Sequence, residues 1–136
     1  MKHGKDTTIY HPELSNLMKC EIGEGCKIHS HTWIGDNVKI GNNCKIEAFV
    51  FIPDGVTIED DVFIGPHVCF TNDKYPPSGG RHWAKTLVKE GAAIGANATI
   101  LPGITIGRKA LIGAGSVVTE NVMAFTTVVG NPAKRK

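Results

Sequence analysis

The sequence predicts an all-β chain wound as a parallel β-helix, and three observations predict it. Apolar residues return every six positions, from Ile22 through Ile28, Ile34, Ile40, Ile46, Ile52, Ile58 and Ile64 to Phe70, and again through Ile94, Ile100, Ile106, Ile112 and Val118. Small or apolar residues stand two places before each: Cys20, Cys26, Thr32, Val38, Cys44, Val50, Val56, Val62 and Val68, then Ala92, Ala98, Ile104, Ala110 and Ser116. Turn formers fill the remaining positions, as in Gly41-Asn42-Asn43, Glu59-Asp60-Asp61 and Gly107-Arg108-Lys109.

Each element follows from that pattern. Two inward side chains separated by one outward side chain make a short strand, because strand side chains alternate. The next three residues make a corner, where glycine and asparagine adopt conformations that other residues resist. A helical period does not fit six, and continuous alternation breaks at every corner. Repetition at a fixed period is the mark of a solenoid, whose turns stack and bury a continuous core.

Length and composition agree with a single domain over 1–136, with a short lead (1–19), an extruded loop (71–86), later coils (87–124) and a C-terminal tail (125–136). The net charge of +2 gives no field that calls for a nucleic-acid partner. No apolar run is long enough to span a membrane. The first residues, Met1-Lys2-His3-Gly4-Lys5-Asp6, lack an apolar signal core, which predicts a cytoplasmic protein. Of the four cysteines, Cys20, Cys26 and Cys44 hold the inward small-residue register and read as core, while Cys69 falls on an outward position. No CxxC pair is present, so a zinc site is not expected.

The repeat fails over Thr71-Asn72-Asp73-Lys74-Tyr75-Pro76-Pro77-Ser78-Gly79-Gly80-Arg81-His82-Trp83-Ala84-Lys85. This stretch reads as a loop thrown out from the helix, and loops of such length are usually functional. One corner also differs from its fellows. With three strands to a coil, residues 18 apart sit one rung apart, about 4.8 Å. His29-Ser30-His31, Glu47-Ala48-Phe49 and Gly65-Pro66-His67 therefore stack, and the outward Trp33, Phe51 and Cys69 line the strand after them. His29 and Glu47 form a candidate catalytic pair, because a carboxylate beside an imidazole orients it as a general base. His31, Phe49 and His67 share a column. Gly95-Ala96 and Gly113-Ala114 form a second column, of minimal side chains, against which a thin ligand can lie. The exposed aromatic stripe calls for a covering surface.

From Cys20 to Ala133 the chain resembles the hexapeptide-repeat acyltransferases, whose members wind a left-handed β-helix. The resemblance is carried by Ile58-Glu59-Asp60-Asp61-Val62-Phe63-Ile64-Gly65-Pro66, Phe70-Thr71-Asn72-Asp73-Lys74-Tyr75-Pro76, Gly91 to Gly103, Ile112 to Thr119 and Val129-Gly130-Asn131-Pro132-Ala133-Lys134. Within the family it is most similar to N-acetyltransferases acting on nucleotide-linked amino sugars for surface polysaccharides. The resemblance implies acetyl-CoA as co-substrate, no metal, and a homotrimer with active sites between subunits. Their places in the corner column and the loop make His31, Phe49, His67, Asn72, Asp73, Tyr75 and Trp83 candidates for contacts to the sugar or nucleotide. Coenzyme A would lie along Gly95, Ala96, Gly113 and Ala114, with Lys109 and Lys134 meeting its phosphates. The chain departs from the subgroup where an amide-rich corner is replaced by Glu47-Ala48-Phe49. O-acetylation of a sugar or serine hydroxyl is the alternative. A γ-class carbonic anhydrase or a non-catalytic trimeric scaffold remains behind it.

Overall fold

A computed structural model describes residues 1–136. The chain is a left-handed parallel β-helix of triangular section, with strands of two residues each along most of its length. A first sheet of six strands includes Glu21–Ile22, Lys39–Ile40, Thr57–Ile58, Leu87–Val88 and Thr105–Ile106. A second, of eight, includes Lys27–Ile28, Lys45–Ile46, Phe63–Ile64, Ala93–Ile94 and Leu111–Ile112. The third, of six, includes Trp33–Ile34, Phe51–Ile52, Cys69–Phe70, Thr99–Ile100 and Val117–Val118. Backbone amides run the 18-residue ladder directly, as in Lys27 N donating to Cys44 O at 2.9 Å and Lys45 N to Val62 O at 3.0 Å.

The expected isoleucine columns form the core. Ile28, Ile34, Ile46, Ile52, Ile64, Ile94, Ile100, Ile106 and Ile112 are fully buried, within a cluster of 30 buried residues. Cys20, Cys26 and Cys44 are buried free thiols, and Cys69 is half-buried on the third sheet.

Helical winding begins earlier than the repeat suggests. Lys2–His3, Thr8–Ile9 and Asn16–Leu17 pair in parallel with the coil above, so the expected lead forms a first coil. That coil is irregular because Pro12–Leu14 form a short 3₁₀ turn at one corner. Side chains bind it where its backbone drifts: Thr7 Oγ1 accepts from Cys26 N at 3.0 Å and donates to Gly23 O at 2.7 Å. In the expected tail, Thr127–Val129 joins the second sheet, and Lys134–Arg135 folds back antiparallel onto it.

The loop leaves after Phe70 and returns at Leu87, which pairs with Thr57. It is ordered by one carboxylate. Asp73 accepts from Ser78 N at 2.7 Å and from Tyr75 N at 3.2 Å, and Asp73 bridges antiparallel to Trp83. The Ser78 amide, with further donors around it, holds the Asp73 carboxyl below its ordinary range. Ser78 is itself buried and takes the His82 amide on its hydroxyl at 3.1 Å.

Two expectations follow. Ile94→Ala should lower stability by about 2–5 kcal/mol, seen as a lower denaturant midpoint, because the prism cannot close over the lost volume. A carboxyl held low by amide donors contributes order at pH above its unfolded value and loses it as pH falls through the lower folded value. Trp83 emission, read in a Trp33→Phe background, should therefore stay constant down to about pH 3.9 and change only below it. Asp73→Asn should give the altered emission at neutral pH.

Candidate functional site

The three unusual corners stack along one edge of the prism, between the second and third sheets. Ile46 pairs with Ile64 and Ile64 with Ile94, so Glu47, Gly65 and Gly95 follow one another up the same edge. Ile94 pairs with Ile112, which extends the column to Gly113. The histidine cluster and the glycine–alanine column are thus one continuous edge.

At its lower end His29 Nε2 stands 3.7 Å from Glu47 Oε2. This is ion-pair range and longer than a hydrogen bond. His29 Nε2 is closed off from solvent and has no hydrogen-bond partner. Two neighbours complete the group. Lys45 Nζ lies 3.3 Å from the other Glu47 oxygen. Tyr10 stacks on His29 with ring centroids 4.8 Å apart, closing one face of the imidazole. Sequence reasoning missed both. Strand alternation puts Lys45 on the same side as Glu47 and would have found it. Tyr10 sits 19 residues before His29 because the first coil is irregular, so the regular register points to His11 instead.

Beside this pair runs a ladder of rings. His31 stacks on Phe49 at 4.7 Å and Phe49 on His67 at 4.9 Å, with planes within 12° of parallel. Each occupies the left-handed corner position, at φ 58, 63 and 62, which Asn37 and Asn43 hold on the other edges and Asn97 holds one coil above His67. A bulky residue there costs about 1 kcal/mol, and each stacked pair returns a comparable amount. Phe49 separates His31 from His67, so the two imidazoles do not converge within the chain.

Further up, the corners close tightly. A Cβ at Gly65 would stand 2.8 Å from Ala96 N, and one at Gly95 would stand 2.6 Å from Ala114 N. Glycine at these positions lets successive corners seat on each other. With Ala96 and Ala114 beside them, the edge narrows to small side chains, with Asn97 at the left-handed position above His67 and Val129 packed on Gly113.

The remaining candidates lie elsewhere. Lys109 belongs to the edge between the first and second sheets, where its side chain covers Gly91; it does not flank the glycine–alanine column of its own chain. Lys134 lies at the far end, opposite Val129, and pairs with Glu120 at 3.7 Å. The loop leaves from the edge between the third and first sheets, so Asn72, Asp73, Tyr75 and Trp83 stand on a different edge from His29 and Glu47. The Asp73 carboxylate is engaged within the loop, and Asn72 O accepts from Ala84 N at 2.9 Å. Tyr75 and Trp83 remain exposed.

Comparison with known proteins bears on the family and the fold. The family model described as bacterial transferase hexapeptide (six repeats) matches residues 37–72 and 85–120. A dTDP-3-amino-3,6-dideoxy-alpha-D-galactopyranose 3-N-acetyltransferase from Aneurinibacillus thermoaerophilus is 49% identical over 45% of this chain, which spans 30% of that protein. A galactoside O-acetyltransferase from Lactococcus lactis is 31% identical over 91% of this chain, which spans 66% of it. Among solved structures, a mutant N-acyltransferase from Bacillus cereus in complex with dTDP and coenzyme A superposes with a TM-score of 0.85 at 21% identity, covering 99% of this chain and 81% of that one. The GDP-perosamine N-acetyltransferase of Caulobacter crescentus, with coenzyme A and GDP-perosamine, gives 0.72 at 23% identity over 96% of this chain and 53% of that one. At these identities the structural likeness concerns the fold. The two matched blocks take in 72 of the 136 residues, and the chain belongs to the bacterial transferase hexapeptide family.

Proposed function

We propose that the chain is an acetyl-CoA-dependent acyltransferase that acetylates the amine of a nucleotide-linked sugar. The observation that carries this reading is the single edge on which a His–Glu pair leads directly into a column of small residues, Gly95-Ala96 and Gly113-Ala114. Such an edge suits a thin acyl carrier lying beside a base. The relatives include transferases of acetyl to an amino sugar and to a galactoside.

In this reading His29 takes the proton from the sugar amine as it attacks the thioester carbonyl. The acetyl group passes to nitrogen as the carbon–sulfur bond breaks, and His29 returns the proton to sulfur, so the coenzyme leaves as its thiol. His29 Nε2 faces Glu47, and Nδ1, which makes no hydrogen bond within the chain, is the nitrogen free to take the proton. Glu47 holds the ring and balances the imidazolium charge, and Lys45 holds Glu47. Tyr10 fixes the plane of the imidazole from below. His31, Phe49 and His67 line the acceptor side. A homotrimer would cover Trp33 and Phe51, which are 39% and 41% exposed on the third sheet with ring centroids 6.2 Å apart. Such a reaction belongs in the cytoplasm, where acetyl-CoA and activated sugars are both at hand, and would supply surface polysaccharide. No helix of the structure is long and apolar enough to cross a membrane.

O-acetylation is the second reading. The galactoside O-acetyltransferase relative and the Glu47-Ala48-Phe49 corner favour it, since a hydroxyl needs stronger base assistance than an amine.

The test is acetyl-CoA binding by calorimetry, followed by turnover with paired amino and hydroxy sugars linked to dTDP and UDP. His29→Ala should lower kcat by about 10²–10⁴ with the fold intact. Glu47→Gln should lower it less, and the double variant should be no slower than His29→Ala, because Glu47 acts through the ring. Full turnover in the double variant would remove the pair from the mechanism. A folded protein that does not bind acetyl-CoA would remove the acyltransferase reading.

A further inference from the structure

The largest concavity of the molecule, about 600 Å³, is not at the His–Glu edge. It opens on the first sheet, the face opposite that edge, under the returning limb of the loop. Its floor is Lys39 and Thr57 with Asn37 at the rim, and its wall is Trp83-Ala84-Lys85.

We infer that this cleft holds the base and diphosphate of a nucleotide, with the base stacked on Trp83 and the phosphates on Lys39 and Lys85. Trp83 is 52% exposed, so its ring is available to a planar ligand. Neither lysine takes part in any of the chain's four ion pairs. The one carboxylate of the cleft, Asp54, is turned down the edge, where its Oδ1 accepts from Asp36 N at 2.9 Å. Two ammonium groups outside any ion pair, beside an open indole, suit a diphosphate carrying an aromatic base.

The wall is preformed. Gly55 is at φ +85, and the Lys85 side chain packs 3.4 Å from where a Cβ at 55 would stand. Gly103 is at φ +76 and receives the Ala84 methyl at 3.3 Å by the same measure. Asp73 ties the outgoing limb to the returning one across its bridge to Trp83. Lys85 and the backbone that carries the indole are therefore held in place before any ligand arrives.

This inference rests on the acyltransferase reading, which supplies two nucleotides of the right chemistry: that of the acceptor sugar and that of coenzyme A. The experiment uses Trp33→Phe protein, in which Trp83 is the sole tryptophan. It is titrated with dTDP and, separately, with coenzyme A, by emission and by calorimetry. Saturable quenching of Trp83 is expected from one of the two. Its affinity should fall about tenfold on Lys39→Ala and again on Lys85→Ala, and should weaken as salt rises. Quenching by dTDP assigns the cleft to the sugar nucleotide; quenching by coenzyme A assigns it to the acyl carrier. Binding seen by calorimetry without a change in Trp83 emission, or affinity unchanged in the double lysine variant, would overturn the inference. Acetyl transfer measured on the same proteins separates the cases. Turnover with a silent cleft overturns the cleft alone, whereas absence of all nucleotide binding and turnover overturns both.

Discussion

Everything in this molecule depends on the parallel stacking of strands at about 4.8 Å. The backbone ladder fixes that spacing, and the columns of buried isoleucine hold it. Because each coil sits in register on the last, an inward position can take only a side chain that meets its own kind above and below. The corners inherit the same register. A residue placed at a corner acquires its neighbours from the coils before and after, and little else can reach it. The candidate edge is built by this means alone.

That edge uses the register in two opposed ways. At its lower end the left-handed corner position carries imidazole and phenyl rings where asparagine serves elsewhere, and the rings stack because successive corners cannot separate. At its upper end Gly65 and Gly95 are seated so closely that a methyl group would strike the backbone of the next coil. One half is crowded with rings and the other is reduced to small side chains. A ligand lying along the edge would meet aromatic and titratable groups at one end and a slimmer surface at the other.

The coil architecture was legible because six-residue spacing leaves no other solution, and the stacking of His29 on Glu47 was legible because both lie in the unbroken run. Continuity of the edge was not. Between Thr57 and Leu87 the loop lengthens one coil from 18 to 30 residues. The six-residue phase survives, but the column assignment rotates. Extending the 18-residue rule through the loop sets Gly95 above the Glu59 corner, while the structure sets it on Gly65. The same rotation moves Lys109 to another edge. Tyr10 was hidden by the irregular first coil. The organisation of the loop about Asp73 and Ser78 comes from short-range hydrogen bonds with no periodic signal.

The 18-residue register also makes the molecule a graduated ruler. Along any edge, the distance between two groups is available only in whole rungs, and moving a functional side chain by one step means relocating it 18 positions in sequence. Fine adjustment by backbone shift is closed, because each coil is clamped by two others. Variation in reach must come from side-chain length, from which corner is used, or from segments such as 71–86 that leave the lattice altogether. Selection on such a scaffold would act in discrete increments, with its continuous freedom confined to the loop.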